Sequence, residues 1–300
     1  MALLSEMIDH HLAGLAWSLW TELGVAGTKR KHSNYLIDPE ELILLTAVIA
    51  KKDPRLRDEG LDWCAKFHRY ISVGRLRMLI KNFEENIQES FSIFAATLNA
   101  VADSKWHLFT NASPLKFIPS EKSTLTAFEF PAMLYFRLRA FFGVNARADL
   151  IAFFLANQQS SLTAADATEI GYSKRNLADV LDELTRAGIF QALSVRNQKC
   201  YRFLKEAQMI SALGAIPQFM PSWRRLLHII LTLRSSIIKI EKKSEGIKFV
   251  EIRNQLTSLQ NDLNKLHLSP PPPSPDFEVF WDSFSSWILT IVKSLAEGTF

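Results

Sequence analysis

The chain has 300 residues, 48% of them apolar and 22% charged, and it includes 21 Phe and 7 Trp. Such a composition excludes an intrinsically disordered chain, because it supplies enough large apolar side chains to bury a core, and the length predicts two or three domains. The formal net charge of +4 excludes a polycation, so any contact with nucleic acid must come from locally placed charge.

Cysteine usage and the first residues of the chain indicate the compartment. The two cysteines, Cys64 and Cys200, form neither a disulfide framework nor a zinc-ligand pattern, which favours a reducing environment. In residues 1–20, acidic and histidine residues interrupt the apolar ones, and this pattern predicts an amphipathic helix rather than a secretory signal. No apolar run approaches the ~18 residues of a membrane span. We therefore expect a cytoplasmic protein with no membrane partner.

Residues 1–145 predict an all-helical domain, because helical periodicity runs through almost the whole segment. Asp38 and Asp53 each precede a proline and predict helix N-caps, with Pro at the first helical position. The acidic residues Asp38, Glu40 and Glu41 are explained as charges that favour a helix N-terminus.

Residues 38–82 are a candidate for a three-helix helix-turn-helix unit. Ser72 follows a tight corner and predicts the cap of a third helix, on which Arg75 and Arg77 would lie. Nothing like a wing follows this helix, and an unrelated helical bundle is an equal alternative. Farther along, residues 103–130 carry prolines and many Ser and Thr, and they predict a long irregular connection.

Residues 146–206 combine three short helical segments with a small hairpin. The first segment, "ARADLIAFFLAN", is apolar on most sides and predicts a buried helix. Thr163 is predicted to cap the second helix, and Gly171 is predicted to end it in the left-handed conformation. Ser173 is then placed to cap the third helix.

Apolar spacing predicts which faces of this module lie inside. In the third helix, four residues recur with helical spacing and are predicted to face inward: Leu177, Val180, Leu181 and Leu184. In the hairpin, strand alternation predicts four side chains on the face that meets the helices: Leu193, Val195, Tyr201 and Phe203. The hairpin is therefore expected to close a core that three helices alone cannot enclose.

Residues 207–300 predict a helical hairpin followed by a terminal helix. Two apolar seams of heptad spacing indicate antiparallel helices, with Gly246 available for the turn between them. The run "SPPPPSP" at 269–275 predicts a stiff spacer. The last helix carries a broad apolar stripe that must be covered.

The order of elements in residues 146–206 and the phrase "LADVLDELTRAGIF" resemble the winged helix-turn-helix superfamily, in the broad style of MarR-like and ArsR-like regulators. The resemblance implies that the third helix enters the major groove of DNA and that the wing touches the adjacent backbone or minor groove. The reading face carried over to this sequence comprises Tyr172, Ser173, Lys174, Arg175, Asn176 and Asp179. The wing would add contacts from Arg196, Asn197 and Lys199.

The side chains of this face suit duplex DNA. An arginine such as Arg175 can donate two parallel hydrogen bonds to guanine, and Asn176 can pair in the same way with adenine. Lys174 and the hydroxyl of Ser173 suit phosphate, as does the helix N-terminus itself. An ion pair between Arg175 and Asp179, one turn apart, is the alternative use of these charges.

We therefore expect a mainly α protein with a multi-helical N-terminal domain, a central winged helix-turn-helix with a small β-hairpin wing, and a C-terminal helical hairpin plus terminal helix. The expected function is a transcriptional regulator that binds double-stranded DNA as a homodimer through its C-terminal helices. A protein-interaction adaptor is the alternative, and a small-molecule effector is a further candidate partner. The absence of phosphate-loop, metalloprotease and nucleophile-elbow motifs predicts no enzyme, no cofactor and no metal site.

Overall fold

The computed structural model describes residues 3–27, 30–157, 161–195 and 197–300. Within these ranges the protein is mainly α, as predicted, with a single small antiparallel sheet. The helices are α1 Leu4–Leu23, α2 Pro39–Ile49, α3 Pro54–Phe67, α4 Val73–Ile80, α5 Glu85–Val101, α6 Leu134–Phe142, α7 Ala146–Ala156, α8 Lys174–Arg186, α9 Glu206–Leu213, α10 Trp223–Ile240, α11 Glu245–Ser258, α12 Gln260–Lys265 and α13 Phe277–Glu297. The strands are β1 Leu162–Thr163, β2 Phe190–Val195 and β3 Gln198–Phe203.

The predicted N-caps of the first 82 residues are confirmed. The Asp38 carboxylate accepts a hydrogen bond from the backbone N–H of Glu41 at 3.2 Å, and the Asp53 carboxylate accepts one from Leu56 at 2.9 Å. Ser72 accepts from the backbone N–H of Arg75 and begins α4. Each cap satisfies a donor that the first helical turn leaves unpaired, so these starts are encoded within four residues of sequence.

The irregular connection over residues 103–130 is also confirmed, and a buried carboxylate anchors it. Asp62 on α3 accepts backbone hydrogen bonds from Ser120, Glu121 and Ser123 at 2.5, 2.9 and 3.1 Å. Burial opposes ionisation of Asp62, but these hydrogen bonds outweigh it and hold the pKa of the carboxyl below its ordinary value. The long segment is therefore pinned to the helices that it crosses.

The central module differs from expectation at its second helix. Residues Leu162–Thr163 form β1, which pairs antiparallel with β3, and the second helix is a 3-10 helix over Asp166–Ile170. Thr163 still hydrogen-bonds to the first residue of this 3-10 helix, because its hydroxyl accepts the backbone N–H of Asp166 at 3.2 Å. Gly171 ends the 3-10 helix with a φ of +89°, the left-handed conformation predicted for it.

The prediction for the wing is right for one arm and wrong for the other. Tyr201 and Phe203 on β3 are buried, whereas Leu193 and Val195 on β2 are 37% and 49% exposed. The register places Phe190 opposite Phe203, and residues directly opposite in an antiparallel pair share a face. The core side of β2 is therefore shifted by one residue from the predicted set.

The C-terminal hairpin forms as predicted, but Gly246 does not make its turn. Gly246 lies inside α11, and residues 241–244 connect the two helices, with the N–H of Lys243 donating to the carbonyl of Ile240 at 2.7 Å. None of these four residues has a positive φ, so the connection needs no glycine. α10 packs against α1 and α2 as well as against α11 and α12.

The apolar seams predicted to pair two copies of the chain are occupied within one copy. α13 packs against α1 and α11, and its Phe280, Phe284 and Ile288 are fully buried there. The seam residues of α10 are buried in the same way. A second copy would therefore have to bind through another surface. None of the helices in the described part of the chain is both long and apolar enough to cross a bilayer.

Candidate nucleic-acid interface

α8 is built as an amphipathic helix on a closed core. The Ser173 hydroxyl accepts the backbone N–H of Asn176 at 3.3 Å, which confirms the predicted cap. Leu177, Leu181 and Leu184 are buried, and Val180 is half-buried against the same cluster. Because four inward positions orient the helix, the opposite side of α8 must face outward.

The outward side carries the predicted reading residues. Ser173, Lys174, Arg175, Asn176 and Asp179 are all exposed. Among the described residues no ion pair joins Arg175 to Asp179, so the structure does not use the alternative pairing considered for them. The first turn of α8 thus offers two cationic side chains and its own backbone N–H groups on one exposed surface.

The acidic residues farther along α8 are paired with neighbouring elements. Lys199 of β3 donates to the Asp182 carboxylate at 2.5 Å, and Arg147 of α7 donates to Glu183 at 2.7 Å. The hydrogen bond from Lys199 holds the pKa of Asp182 below its ordinary value, so this carboxylate is ionised and paired. These pairs offset much of the negative charge that the sequence places on α8.

Tyr172 does not lie on the reading face, which corrects the prediction for this residue. Its hydroxyl points inward and donates to the Asp149 carboxylate of α7 at 2.9 Å. Burial, reinforced by the charge of Asp149, raises the pKa of the phenol above its ordinary value. The side chain therefore ties the corner before α8 to the interior instead of meeting an outside molecule.

The tip of the wing is exposed, but its Lys199 already has a partner within the chain. Asn197 has a φ of +62° and lies on the surface, and Arg196 lies outside the described residues. Lys199 is committed to Asp182, and its ammonium also lies 5.5 Å from the ring centre of Tyr201. Any contact of Lys199 with a phosphate must therefore compete with its contact to α8.

A buried ionic cluster lies beneath the corner that precedes α8, and the sequence analysis did not predict it. Arg139 of α6 makes two hydrogen bonds of 2.9 Å to Asp149 and also binds Glu40 at 2.9 Å. Arg75 of α4 pairs with Glu40 at 2.6 Å and with Asp38. The helix-end explanation for Asp38 and Glu40 was therefore incomplete. The sequence did contain an indication of buried ion pairs in "LYFRLRAFF", where two arginines lie within an otherwise apolar helix.

Arg75 connects this cluster to the corner in front of α8. Its side chain is only 1% exposed, and its Nε donates to the carbonyl of Ile170, the last residue of the 3-10 helix. The exposed arginine of α4 is Arg77. Segment 38–82 does contain three α-helices, but Arg75 on the third of them lies in the interior. The cluster thus joins the N-terminal helices to the corner before the candidate reading helix.

Glu41 lies beside the cluster, and no cation of the described residues forms an ion pair with it. One of its oxygens, Oε2, is buried without a hydrogen-bond partner among the described residues. Burial and the neighbouring charge of Asp38 raise its pKa to about 8. At neutral pH the carboxyl is therefore protonated in the folded state but ionised in the unfolded chain.

We expect the substitution Glu41→Gln to stabilise the protein progressively as the pH rises. The contribution of Glu41 to stability is fully present below pH ~4.5 and is lost as the pH rises to about 8, because only the unfolded state releases the proton in that window. The advantage of the variant should grow by about 1.4 kcal/mol per pH unit and then level off. Urea unfolding at pH 5, 6.5, 8 and 9 measures it. A pH-independent difference, or an equal trend in the exposed control Glu89→Gln, would contradict this assignment.

A scan of protein-family models, a search of curated proteins and a search of solved structures found no match to this chain.

Proposed function

We propose that the chain is a DNA-binding transcriptional regulator that inserts α8 into the major groove of duplex DNA. The observation that carries the proposal is the outward surface of α8, where Lys174, Arg175 and Asn176 are exposed at the helix N-terminus while the leucines behind them are buried. A helix presented in this way has the dimensions of the major groove, and its first-turn side chains are those that reach base edges.

The charge distribution supports the same proposal. Lys174, Arg175 and Arg186 are exposed cations on α8, whereas Asp182 and Glu183 are occupied by Lys199 and Arg147. Asp179 is then the exposed acid of α8 that no cation engages within the described part of the chain. A locally positive surface can bind phosphates even though the whole chain carries only a modest net charge.

A homodimer belongs to the proposal, because two-fold symmetry would place two copies of α8 on half-sites about 34 Å apart. The C-terminal seams are buried within each copy, so the dimer would use a different surface. Cross-linking and sedimentation measure the oligomeric state, with and without a duplex that contains two half-sites. The comparison shows whether the dimer forms in free solution or only on the DNA.

The salt dependence of duplex binding tests the proposal directly. We expect the logarithm of the affinity to fall against the logarithm of salt concentration with a slope of about −3 to −4, since each neutralised phosphate contributes about −0.9. Fluorescence anisotropy with a labelled duplex from upstream of the protein's own gene gives the slope. Lys174→Ala should make the slope shallower by about 1, whereas the exposed Lys265→Ala on α12 should leave it unchanged. Binding that ignores salt, or no binding to any duplex at low salt, would rule out phosphate contact.

One observation favours a second function, that of a protein-interaction adaptor. β2 is an edge strand in the order β1-β3-β2, and its Leu193 and Val195 are exposed on the outer face. An apolar edge strand is suited to pairing with a strand from another protein. Co-purification of one stoichiometric protein that is lost in Val195→Lys, together with no duplex binding, would favour this function over the first.

A further inference from the structure

We propose that a cleft behind the helix-turn-helix corner binds a small organic anion and that its occupancy alters the position of α8. The cleft of about 280 Å³ lies between the C-terminal end of α4, the 3-10 helix Asp166–Ile170 and the pair α10 and α12. The binding site stands independently, whereas the regulatory consequence rests on the proposed function.

Positive charge exceeds negative charge in the cleft. Arg224 and Arg225 of α10 line it beside His228, and Asp262 of α12 is the acid among the lining residues. Each Asp262 oxygen already has one partner, Arg225 at 2.6 Å and His228 Nδ1 at 2.7 Å. Burial opposes its ionisation, but these two hydrogen bonds outweigh burial and keep the pKa of Asp262 low. Two guanidinium groups therefore face one carboxylate.

The cleft also has more hydrogen-bond donors than acceptors. Arg224 uses one nitrogen, Nη1, on the carbonyl of Thr168 at 2.7 Å, and Arg225 uses one on Asp262. Their remaining N–H groups have no hydrogen-bond partner in the described part of the chain. The side-chain amides of Asn82 and Asn261, on opposite walls, likewise have no hydrogen-bond partner among the described residues. A recess lined by unused donors and excess positive charge suits carboxylate or phosphate oxygens.

One wall of the cleft is apolar, which defines the rest of the ligand. Leu79 and Phe83 form this wall, and the Phe83 ring meets the His228 ring edge-on at 5.5 Å. The volume lies slightly below the range of roughly 300–1,000 Å³ usual for small-molecule sites. The site therefore fits a compact anion with a short apolar body.

Two contacts connect the cleft to the corner that precedes α8. The Thr168 carbonyl that binds Arg224 also accepts the N–H of Gly171 at 3.1 Å, the bond that closes the 3-10 helix. On the opposite wall, Leu79 packs so closely on Gly171 that an added Cβ would lie 3.0 Å from its Cδ2. A ligand that recruits Arg224 or displaces Leu79 therefore acts on the residue immediately before Tyr172 and α8.

Calorimetric titration of the full chain tests the site without DNA. The probes are inorganic phosphate, succinate and phenyl phosphate, with chloride at matched ionic strength. Asn261→Asp adds a carboxylate to the cleft without breaking a hydrogen bond, and we expect it to weaken anion binding by about tenfold through like-charge repulsion. Asn264→Asp, one turn along α12, is the matched control because its oxygen still accepts from Gln260. No saturable binding of any probe by the wild type, or equal affinity in Asn261→Asp, would overturn the site.

The three probes distinguish the chemistry of the ligand. Preference for phenyl phosphate over phosphate supports an apolar body, and preference for succinate over both assigns a dicarboxylate. Binding of phosphate alone, unaffected by Asn261→Asp, would mean an adventitious ion and would overturn the proposal.

Hydrogen exchange measures the connection to α8, again without DNA. Saturating ligand should change the protection of amides 171–177, whereas amides of α13 serve as the internal reference. Unchanged protection would overturn the regulatory half of the proposal. Anion binding with changed protection but no duplex binding would leave the cleft standing and remove the DNA function. Salt-dependent duplex binding without any anion binding would support the DNA function and overturn the anion site.

Discussion

Replacement of Arg75 by alanine is expected to lower the free energy of unfolding by about 3–5 kcal/mol, the range found when one member of a buried ion pair is removed. The guanidinium of Arg75 is enclosed by Asp38, Glu40 and the Ile170 carbonyl. Without it, the buried Asp38 carboxylate would lose the cation that hydrogen-bonds to it, and the Ile170 carbonyl would lose a donor. Neither group can regain water without opening the packed helices around it.

The matched control for this prediction lies two residues away on the same helix. Arg77 is exposed on α4, so Arg77→Ala should change the free energy of unfolding by no more than about 0.5 kcal/mol. Urea denaturation of both variants, followed by circular dichroism, gives the comparison. Similar losses in the two variants would mean that helix propensity, rather than the buried cluster, accounts for the effect of Arg75.

Replacement of Arg175 by alanine is expected to weaken binding to the preferred duplex by about 1–3 kcal/mol, or roughly five- to 160-fold. The reason is that Arg175 lies in the first turn of α8, where a side chain entering the major groove can donate two hydrogen bonds to guanine. The same variant should discriminate less between duplexes that differ at one base pair. Its unfolding transition should not move, because Arg175 is exposed and makes no ion pair among the described residues.

Arg186→Ala is the control for the second prediction. Arg186 is an exposed arginine at the C-terminal end of the same helix, so it tests for the loss of one positive charge without loss of a first-turn contact. Competition anisotropy with matched and single-mismatch duplexes measures affinity and base preference together. Equal losses from both variants on all duplexes would indicate a purely electrostatic contact and would remove α8 from the role of reading helix.

Several features of the fold follow from neighbouring residues and were predictable. The caps at Asp38, Asp53, Ser72 and Ser173 each depend on one side chain and an N–H three positions later. The inward face of α8 depends on spacing within thirteen residues. Such local interactions form wherever the segment is helical, so their signal is complete in the sequence.

The wing shows a limit of predicting buried faces from strand alternation. Alternation correctly indicated strands, but the side of β2 that meets the helices depends on its register with β3. A shift of one residue exchanges the two faces of a strand, and the apolar residues of β2 occupy both of them. Here Phe190 stacks on Phe203 with ring centres 4.5 Å apart, and Leu193 is left outside.

The environments of Arg75 and Tyr172 depend on partners far away in the chain. Asp38 stands 37 positions before Arg75, and Asp149 stands 23 positions before Tyr172. A charged or phenolic side chain on a helix can lie in water or inside, and its own neighbours do not distinguish the two. Local spacing therefore specified most of the helices, the four capped starts and the outward side of α8. The packing of distant helices specified which polar groups are enclosed, because burial of a charge requires a counter-charge that only the assembled fold brings near.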